Sequence, residues 1–312
     1  MMTATENGNV MKTEVPKVSV CVCTLRRAHL LPRLLKLIAG QETGGRFSVE
    51  VVVVDNDASG SSRETVESAA ADIEAPVTYC IEPEQNIAKA RNRALAEADG
   101  AYVAFIDDDE VPPGSWLRTM FAACRPSGVA GVLGPVKPLY EEPPPQWVVA
   151  GKFYDRHVHE TGHVMEWTNC RTGNVLMRRR IIPADEPPFR EEFGSGGEDR
   201  DFFRRMIARG HKFVWCNEAA VSEIIPASRW KRSFLLRRAL LRGRASFARR
   251  KGRVKRLLIS LTAIPVYALL LPVALLAGQH RFMKYSVRLC DHCGRVLAAL
   301  GINPVREVYL SQ

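Results

Sequence analysis

AYVAFIDDDE, residues 101–110, is an apolar run that ends in four consecutive carboxylates. Tyr102, Val103, Phe105 and Ile106 have the β-branched and aromatic character of a buried strand. Asp107, Asp108, Asp109 and Glu110 would repel one another at its end without a counter-charge, so the stretch predicts a cation there. Hard oxygen ligands suit Mg²⁺ or Mn²⁺, ions that keep some waters and complete their shell with a substrate phosphate. Pro112 and Pro113 also fit the opening of a helix whose dipole would welcome one or two of the acids. A dipole gain of roughly 1 kcal/mol does not call for four in a row.

Working outward, the first 80 or so residues alternate strand and helix. Val18 to Thr24 reads as a buried strand, and Leu30, Leu31, Leu34, Leu35 and Ile38 recur at helical spacing before a stop at Gly40. Val49 to Val54 is a continuous β-branched run of the kind covered on both faces, with Asp55 and Asp57 at its end. Arg63 to Ala71 predicts a helix, Val77 to Ile81 a third strand, and Ile87 to Ala98 a helix bearing Lys89, Arg91 and Arg93. This order predicts a doubly wound α/β sheet. Ligands of such sheets bind outside the carboxyl ends of the strands, which gathers Thr24, Asp55 and the Asp107 cluster along one edge. No GxGxxG follows the first strand, which argues against a dehydrogenase-type dinucleotide site.

The 312 residues, 46% apolar and 25% charged, suffice for one large or two small domains with a substantial core. The net charge of +10 is concentrated between Arg229 and Arg256, where thirteen cations occur without an acid. The polar first 16 residues are expected to be disordered and lack the apolar core of a signal peptide, so the eight scattered cysteines are expected to be reduced thiols in a cytoplasmic compartment.

VCTLRR at 22–27, VVVVDND at 51–57, NIAKARN at 86–92 and FIDDDEVPP at 105–113 resemble the successive blocks of a family 2 glycosyltransferase. The likeness is strongest to bacterial exopolysaccharide enzymes of the succinoglycan type, and it continues through TGNVLMRR at 172–179 and GGEDRDFFRR at 196–205. The resemblance implies a GT-A-type doubly wound mixed sheet, the nucleotide-diphospho-sugar transferase fold, over residues 17–228. It also implies roles: Thr24 and Asp55 on the nucleoside, Arg91 on the nucleoside or phosphates, and Asp107 with Asp109 as the DxD pair. Asp109 would make the more direct metal contact, and Asp107 would serve the ribose or the metal. Gly173 and Asn174 would form the turn facing the donor sugar. Asp199 would be the general base and Glu198 would orient the acceptor, with inversion at the anomeric carbon. Two departures stand out: Glu223 lies nearest the place where many relatives carry a metal-binding histidine, and Leu25 stands where an aromatic is frequent.

Of the remaining segments, Gly134 to Pro138 predicts a strand and the turn after it, and EEPPPQW at 141–147 a stiff connection. His157, His159 and His163 are expected as exposed loop residues rather than a zinc set. CDHC at 290–293 has no second pair and predicts no metal site. Residues 229–312 are expected to form a basic amphipathic and membrane-associated helical region. The mostly aliphatic stretch from Leu257 to Gly278 is long enough either to cross a bilayer or to lie in it, and Pro265 and Pro272 are expected to break it.

These observations predict an inverting transferase at the cytoplasmic face of the inner (plasma) membrane. It would move a hexose from a nucleoside diphosphate sugar, UDP-linked by resemblance, to a lipid-linked saccharide acceptor in surface polysaccharide synthesis. Nucleic acid is not an expected partner, because the cations adjoin an apolar segment. A sugar nucleotidyltransferase and a non-catalytic polybasic membrane scaffold are the competing readings.

Overall fold

The computed structural model describes residues 15–194, 196–248 and 252–305. The expectation for residues 1–14 therefore lies outside the described residues, as do Arg249, Arg250 and Lys251 of the basic stretch.

The chain alternates β1 (Lys17–Thr24), α1 (Leu31–Ala39), β2 (Ser48–Asp55), α2 (Arg63–Ala71), β3 (Val77–Ile81), α3 (Ile87–Glu97) and β4 (Tyr102–Ile106). After these come β5 (Glu110–Val111), α4 (Trp116–Cys124), β6 (Val129–Leu133), β7 (Val136–Leu139), α5 (Gln146–Gly151) and β8 (Asn174–Arg178). The remainder holds α6 (Glu198–Ala208), β9 (Lys212–Trp215), β10 (Val221–Ile224) and α7 (Ala227–Trp230), then the long helices α8 (Arg232–Ala248), α9 (Arg253–Leu276) and α10 (Gln279–Ala299).

Seven strands form one mixed sheet in the order β3-β2-β1-β4-β8-β6-β9, with β3, β2, β1 and β4 parallel and β8 antiparallel to both neighbours. The direction of strand order reverses at β1 and β4, the place where an open α/β sheet leaves a crevice at its carboxyl edge. The unbroken valines of β2 serve both faces. Val51 and Val53 join a core with Leu34, Leu35, Ile38 and Trp116, while Val52 and Val54 join Ala90, Val103, Phe105 and Phe202 on the other side. Helix α3 is held at its start by Asn86, whose Oδ1 accepts from the Ala88 and Lys89 amides at 3.0 and 3.3 Å.

A second sheet, β5-β10-β7, is made of strands that follow the carboxyl ends of β4, β6 and β9 of the first. The strand expected at 134–138 is not a continuation of the main sheet: the chain leaves β6 at Leu133 and re-forms as β7 in this small sheet. Gly134 permits the exit, because a Cβ there would lie 2.3 Å from the Ala219 carbonyl. The alternative account of the acids, a helix dipole behind Pro112 and Pro113, is also corrected. Glu110 lies in β5, and α4 starts only at Trp116 with no acid in its first turn.

Helices α8 and α10 pack closely, since a Cβ on Gly243 would lie 2.2 Å from the Asp291 carbonyl and one on Gly294 would lie 2.3 Å from the Leu240 carbonyl. The region is not merely appended to the catalytic fold. Trp230, Leu235 and Met283 are buried together with Val148, Tyr154 and Ile225. Helix α9 runs through Pro265 and Pro272 without interruption, contrary to the expected break. Among the described residues it is the one helix long and apolar enough to cross a membrane. All eight cysteines are unpaired.

Candidate active site

At the carboxyl edge of β1, Thr24 donates its hydroxyl to Asp108 Oδ2 at 2.7 Å. Asp55, at the end of β2, is wholly buried; its Oδ2 accepts from the Ser62 amide at 2.8 Å and the Tyr79 hydroxyl at 3.0 Å. These two residues shape the edge through bonds within the chain and do not line the neighbouring cleft.

That cleft, of about 500 Å³, is lined by Arg91, Asp107, Gly173, Asn174 and Asp199, together with Arg156, His157, His159, Arg171, Trp215 and Arg238. Residues from α3, the end of β4, the turn before β8, the start of α6 and helix α8 thus converge on one space. Asn174 is pinned by three bonds: its Oδ1 accepts from the Trp116 indole at 2.8 Å, and its amide donates to the Ala219 and Pro135 carbonyls at 2.8 and 3.0 Å. Gly173 is needed bare, because a Cβ there would stand 2.9 Å from both Asp107 Oδ2 and Glu110 Oε1.

The four acids diverge in their surroundings. Asp107 is the one that reaches the cleft, with Arg91 Nη2 at 3.9 Å. Asp108 turns inward to Arg27 at 2.7 Å, and burial, only partly offset by that guanidinium, pushes its carboxyl up to about 7. Asp109, expected to make the more direct metal contact, is clamped instead: its Oδ2 accepts from Arg27 and Arg229, each at 3.0 Å, and it does not line the cleft. Glu110 is buried, and its burial and the neighbouring Asp107 raise its carboxyl well above the ordinary range. Asp107 is likewise raised, by burial first, with Arg91 opposing and Asp109 adding to the shift.

Glu198, expected to orient the acceptor, is ion-paired to Arg91 and buried away from the cleft. Its neighbour Asp199 lines the cleft in the first turn of α6, its Oδ1 accepting from the adjacent Arg200 amide at 2.6 Å. Glu223, at the place of the expected histidine, is committed to Arg156 and to Arg229, the latter at 3.0 Å. The loop histidines cluster rather than scatter: His159 lies 4.5 Å from both His157 and His163, and 5.3 Å from Trp215 between ring centroids.

A hard divalent cation fits the Asp107 corner. Glu110 Oε1 is buried without a hydrogen-bond partner beside it, and the carboxyls of Asp107 and Glu110 are raised by burial first and by neighbouring acids in addition, so a cation at this corner would favour their charged forms. Among the described residues no three potential ligands surround one point, so most of a cation's shell would come from phosphate and water.

Arg156, Arg171, Arg238 and Trp215 were not singled out as site residues in the sequence. They sit far apart along the chain, in segments with no motif of their own, and only the packing of α8 and the loop before β8 against the sheet edge joins them.

An open sheet with acids at its carboxyl edge and a cation-lined cleft describes the nucleotide-diphospho-sugar transferase class of GT-A type. Solved members share the fold: TarS residues 1–349 of S. aureus in complex with UDP (TM-score 0.53, 20% identity, 91% of this chain and 90% of that one). The mannosyltransferase PcManGT of Pyrobaculum calidifontis, in complex with GDP-Man and Mn²⁺, aligns with a TM-score of 0.58 at 18% identity over 92% of this chain and 87% of its own. The model of glycosyl transferase family 2 matches residues 19–182, and the succinoglycan biosynthesis protein ExoM of Rhizobium meliloti (strain 1021) is 35% identical over 237 residues, 75% of each chain. The glycosyltransferase AglE of Haloferax volcanii is 24% identical over 67% of each. The chain belongs to glycosyl transferase family 2 and is a glycosyltransferase.

Proposed function

We propose that this enzyme transfers a hexose, with inversion, from a nucleoside diphosphate sugar to a lipid-linked saccharide at the cytoplasmic face of the inner membrane during exopolysaccharide synthesis. The observation that carries the reading is the convergence of Asp107 and Asp199 on one cleft beside Arg91, Arg156, Arg171 and Arg238. The relation to a succinoglycan biosynthesis protein supports the polysaccharide setting, and structural neighbours in complex with UDP and with GDP-Man are consistent with a nucleoside diphosphate carrier, UDP following from the motif resemblance alone.

In this reading the nucleoside lies along the β1–β2 edge by Thr24 and Asp55, and the diphosphate lies at Asp107. Asp107, with Glu110 alongside, would hold Mg²⁺ or Mn²⁺, which would supply charge stabilisation for the departing nucleoside diphosphate. Asp109 contributes from behind, fixing Arg27 and Arg229. Arg91, fixed by Glu198, adds positive charge from the floor of the cleft. The bare Cα of Gly173 lets the sugar approach that corner, and Asn174, locked by its three bonds, holds the turn in place. Asp199 removes the acceptor hydroxyl proton as the oxygen attacks the anomeric carbon on the face opposite the leaving group. A nucleotidyltransferase has no use for a base in that position, and a scaffold has no use for the cleft.

Nucleotide release from a panel of nucleotide sugars, measured with a membrane lipid extract, tests the proposal. Asp199→Asn should lower turnover by about 10²- to 10⁴-fold, the range of general-base contributions, and leave donor binding nearly intact. EDTA should abolish turnover and Mn²⁺ or Mg²⁺ restore it. Full activity in chelator would remove the metal, and pyrophosphate as the product would replace the transferase by a nucleotidyltransferase.

A further inference from the structure

We infer that α9 does not cross the bilayer but lies in its surface, apolar side in the lipid, with Arg281, Lys284 and Arg288 of α10 set against anionic headgroups. The inference rests on the membrane attachment proposed above and specifies its geometry.

Helix α9 presents an unpartnered aliphatic surface, with Leu258, Leu269 and Leu276 exposed by 59%, 77% and 91%. Its other side is spoken for. Ser260 and Ala274 are buried, and Ser260 Oγ sits 3.1 Å from His292 Nδ1 of α10. Further along, the Tyr267 ring meets Tyr285 at 5.8 Å and His292 at 5.6 Å. The two helices therefore run antiparallel in contact, and the middle of α9 is level with residues 285–292 of α10, a segment that holds Arg288 and Asp291.

That pairing decides between the two modes of attachment. If α9 spanned, α10 would be drawn through the hydrocarbon beside it, exposing Arg281, Lys284 and Arg288, which lie at helical spacing on one stripe. A cation at the centre of a bilayer is disfavoured even on the lenient insertion scale. Helix α8 would follow, because Gly243 and Leu240 pack against α10 and Arg242 pairs with Asp291 at 2.9 Å. Yet α8 begins in the buried cluster with Trp230 and Tyr154 and lends Arg238 to the cleft, so it cannot leave the catalytic fold. Lying in the interface, the same layer meets no such penalty. The aliphatic side of α9 enters the acyl boundary, and exposed cations beside it meet phosphate headgroups, which attract them near an anionic surface. An uncharged aliphatic surface flanked by a cationic stripe is complementary to an anionic bilayer, and a protein partner would not need that pairing.

The turn between α9 and α10 reports the answer. Gln279→Cys, and Glu74→Cys as a marker of the catalytic fold, are expressed separately in bacterial cells and treated with a membrane-impermeant maleimide. Spheroplasts are compared with inverted inner-membrane vesicles, and the peptide bearing each cysteine is read by mass spectrometry. Both positions should label in inverted vesicles and stay protected in spheroplasts; labelling of Gln279→Cys from the side opposite Glu74→Cys overturns the inference. In flotation with vesicles of 30% phosphatidylglycerol in phosphatidylcholine, used as the probe at roughly the anionic content that gives such surfaces their potential, the full chain should float. R281E/K284E/R288E should lose at least about tenfold in affinity, the combined effect of three headgroup contacts. Unchanged binding of that variant overturns the headgroup contact, and a wild-type chain that never floats overturns membrane attachment itself. The nucleotide-release assay with a soluble acceptor judges the transferase reading separately.

Discussion

Asp107, Asp108 and Asp109 are adjacent in sequence and have three different environments. Asp107 meets the cleft, Asp108 meets Thr24 and Arg27 in the interior, and Asp109 meets Arg27 and Arg229. The interior position of Asp108 has a signature in pH. Its carboxyl rises from 3.8 to about 7 on folding, chiefly through burial, so the folded state keeps a proton that the unfolded chain releases. Stability is full below the lower value and is lost as the pH climbs through that window. Asp108→Asn cannot ionise, so its stability relative to wild type should rise by a few kcal/mol between pH 4 and 7 and level off above, as read by denaturant midpoints across pH, each pKa unit being worth about 1.4 kcal/mol. A difference independent of pH would show that Asp108 is ionised throughout. At Gly173, alanine should lower turnover by at least about tenfold with little loss of fold, because its methyl would press on Asp107 and Glu110 from 2.9 Å.

Among the elements, α8 carries the greatest structural consequence. It packs on α10 by way of Gly243 and Gly294, joins the buried group of Trp230, Tyr154 and Met283 through Leu235, and reaches the cleft with Arg238. Gly243→Ala sets a methyl 2.2 Å from the Asp291 carbonyl and must push the α8 and α10 backbones apart. It should cost about 1–3 kcal/mol, the usual penalty of overpacking, seen as a lower Tm; an unchanged Tm would contradict the close approach. Arg238→Ala should leave the fold intact and raise the KM of whichever substrate carries its phosphate into that side of the cleft. Equal KM values for donor and acceptor in the variant and wild type would remove Arg238 from the site.

For the whole molecule, the catalytic sheet and the C-terminal helices share a core, and Arg229 and Arg238 reach Asp109 and the cleft, so a boundary at residue 229 cuts through both packing and site. A chain ended before Trp230 uncovers Val148, Tyr154 and Ile225. It should lose membrane pelleting and also unfold at lower temperature, checked by sedimentation and by calorimetry. Loss of pelleting with an unchanged Tm would mean that the helices are an independent appendage.

The strands and helices as far as β4 were legible because their signals are local. Alternate valines of β2 feed two cores, and Asn86 and the helical spacing of Leu31, Leu34, Leu35 and Ile38 mark the starts and faces of helices. The carboxylate cluster and the pair at Glu198 and Asp199 were legible as motifs because each is a short run of acids, and one member of each, Asp107 and Asp199, lines the cleft. Which carboxylate faces the pocket was not legible, because it is set by partners distant in the chain: Arg27 holds Asp108 and Asp109, Arg229 holds Asp109, and Asp107 is left to the cleft. Nor could composition place Arg156, Arg171 and Arg238 together or decide how an aliphatic helix meets a membrane. Those outcomes depend on contacts between segments far apart in the chain, Arg229 on Asp109 and α10 along α9, and such contacts exist only once the tertiary packing has brought the segments together.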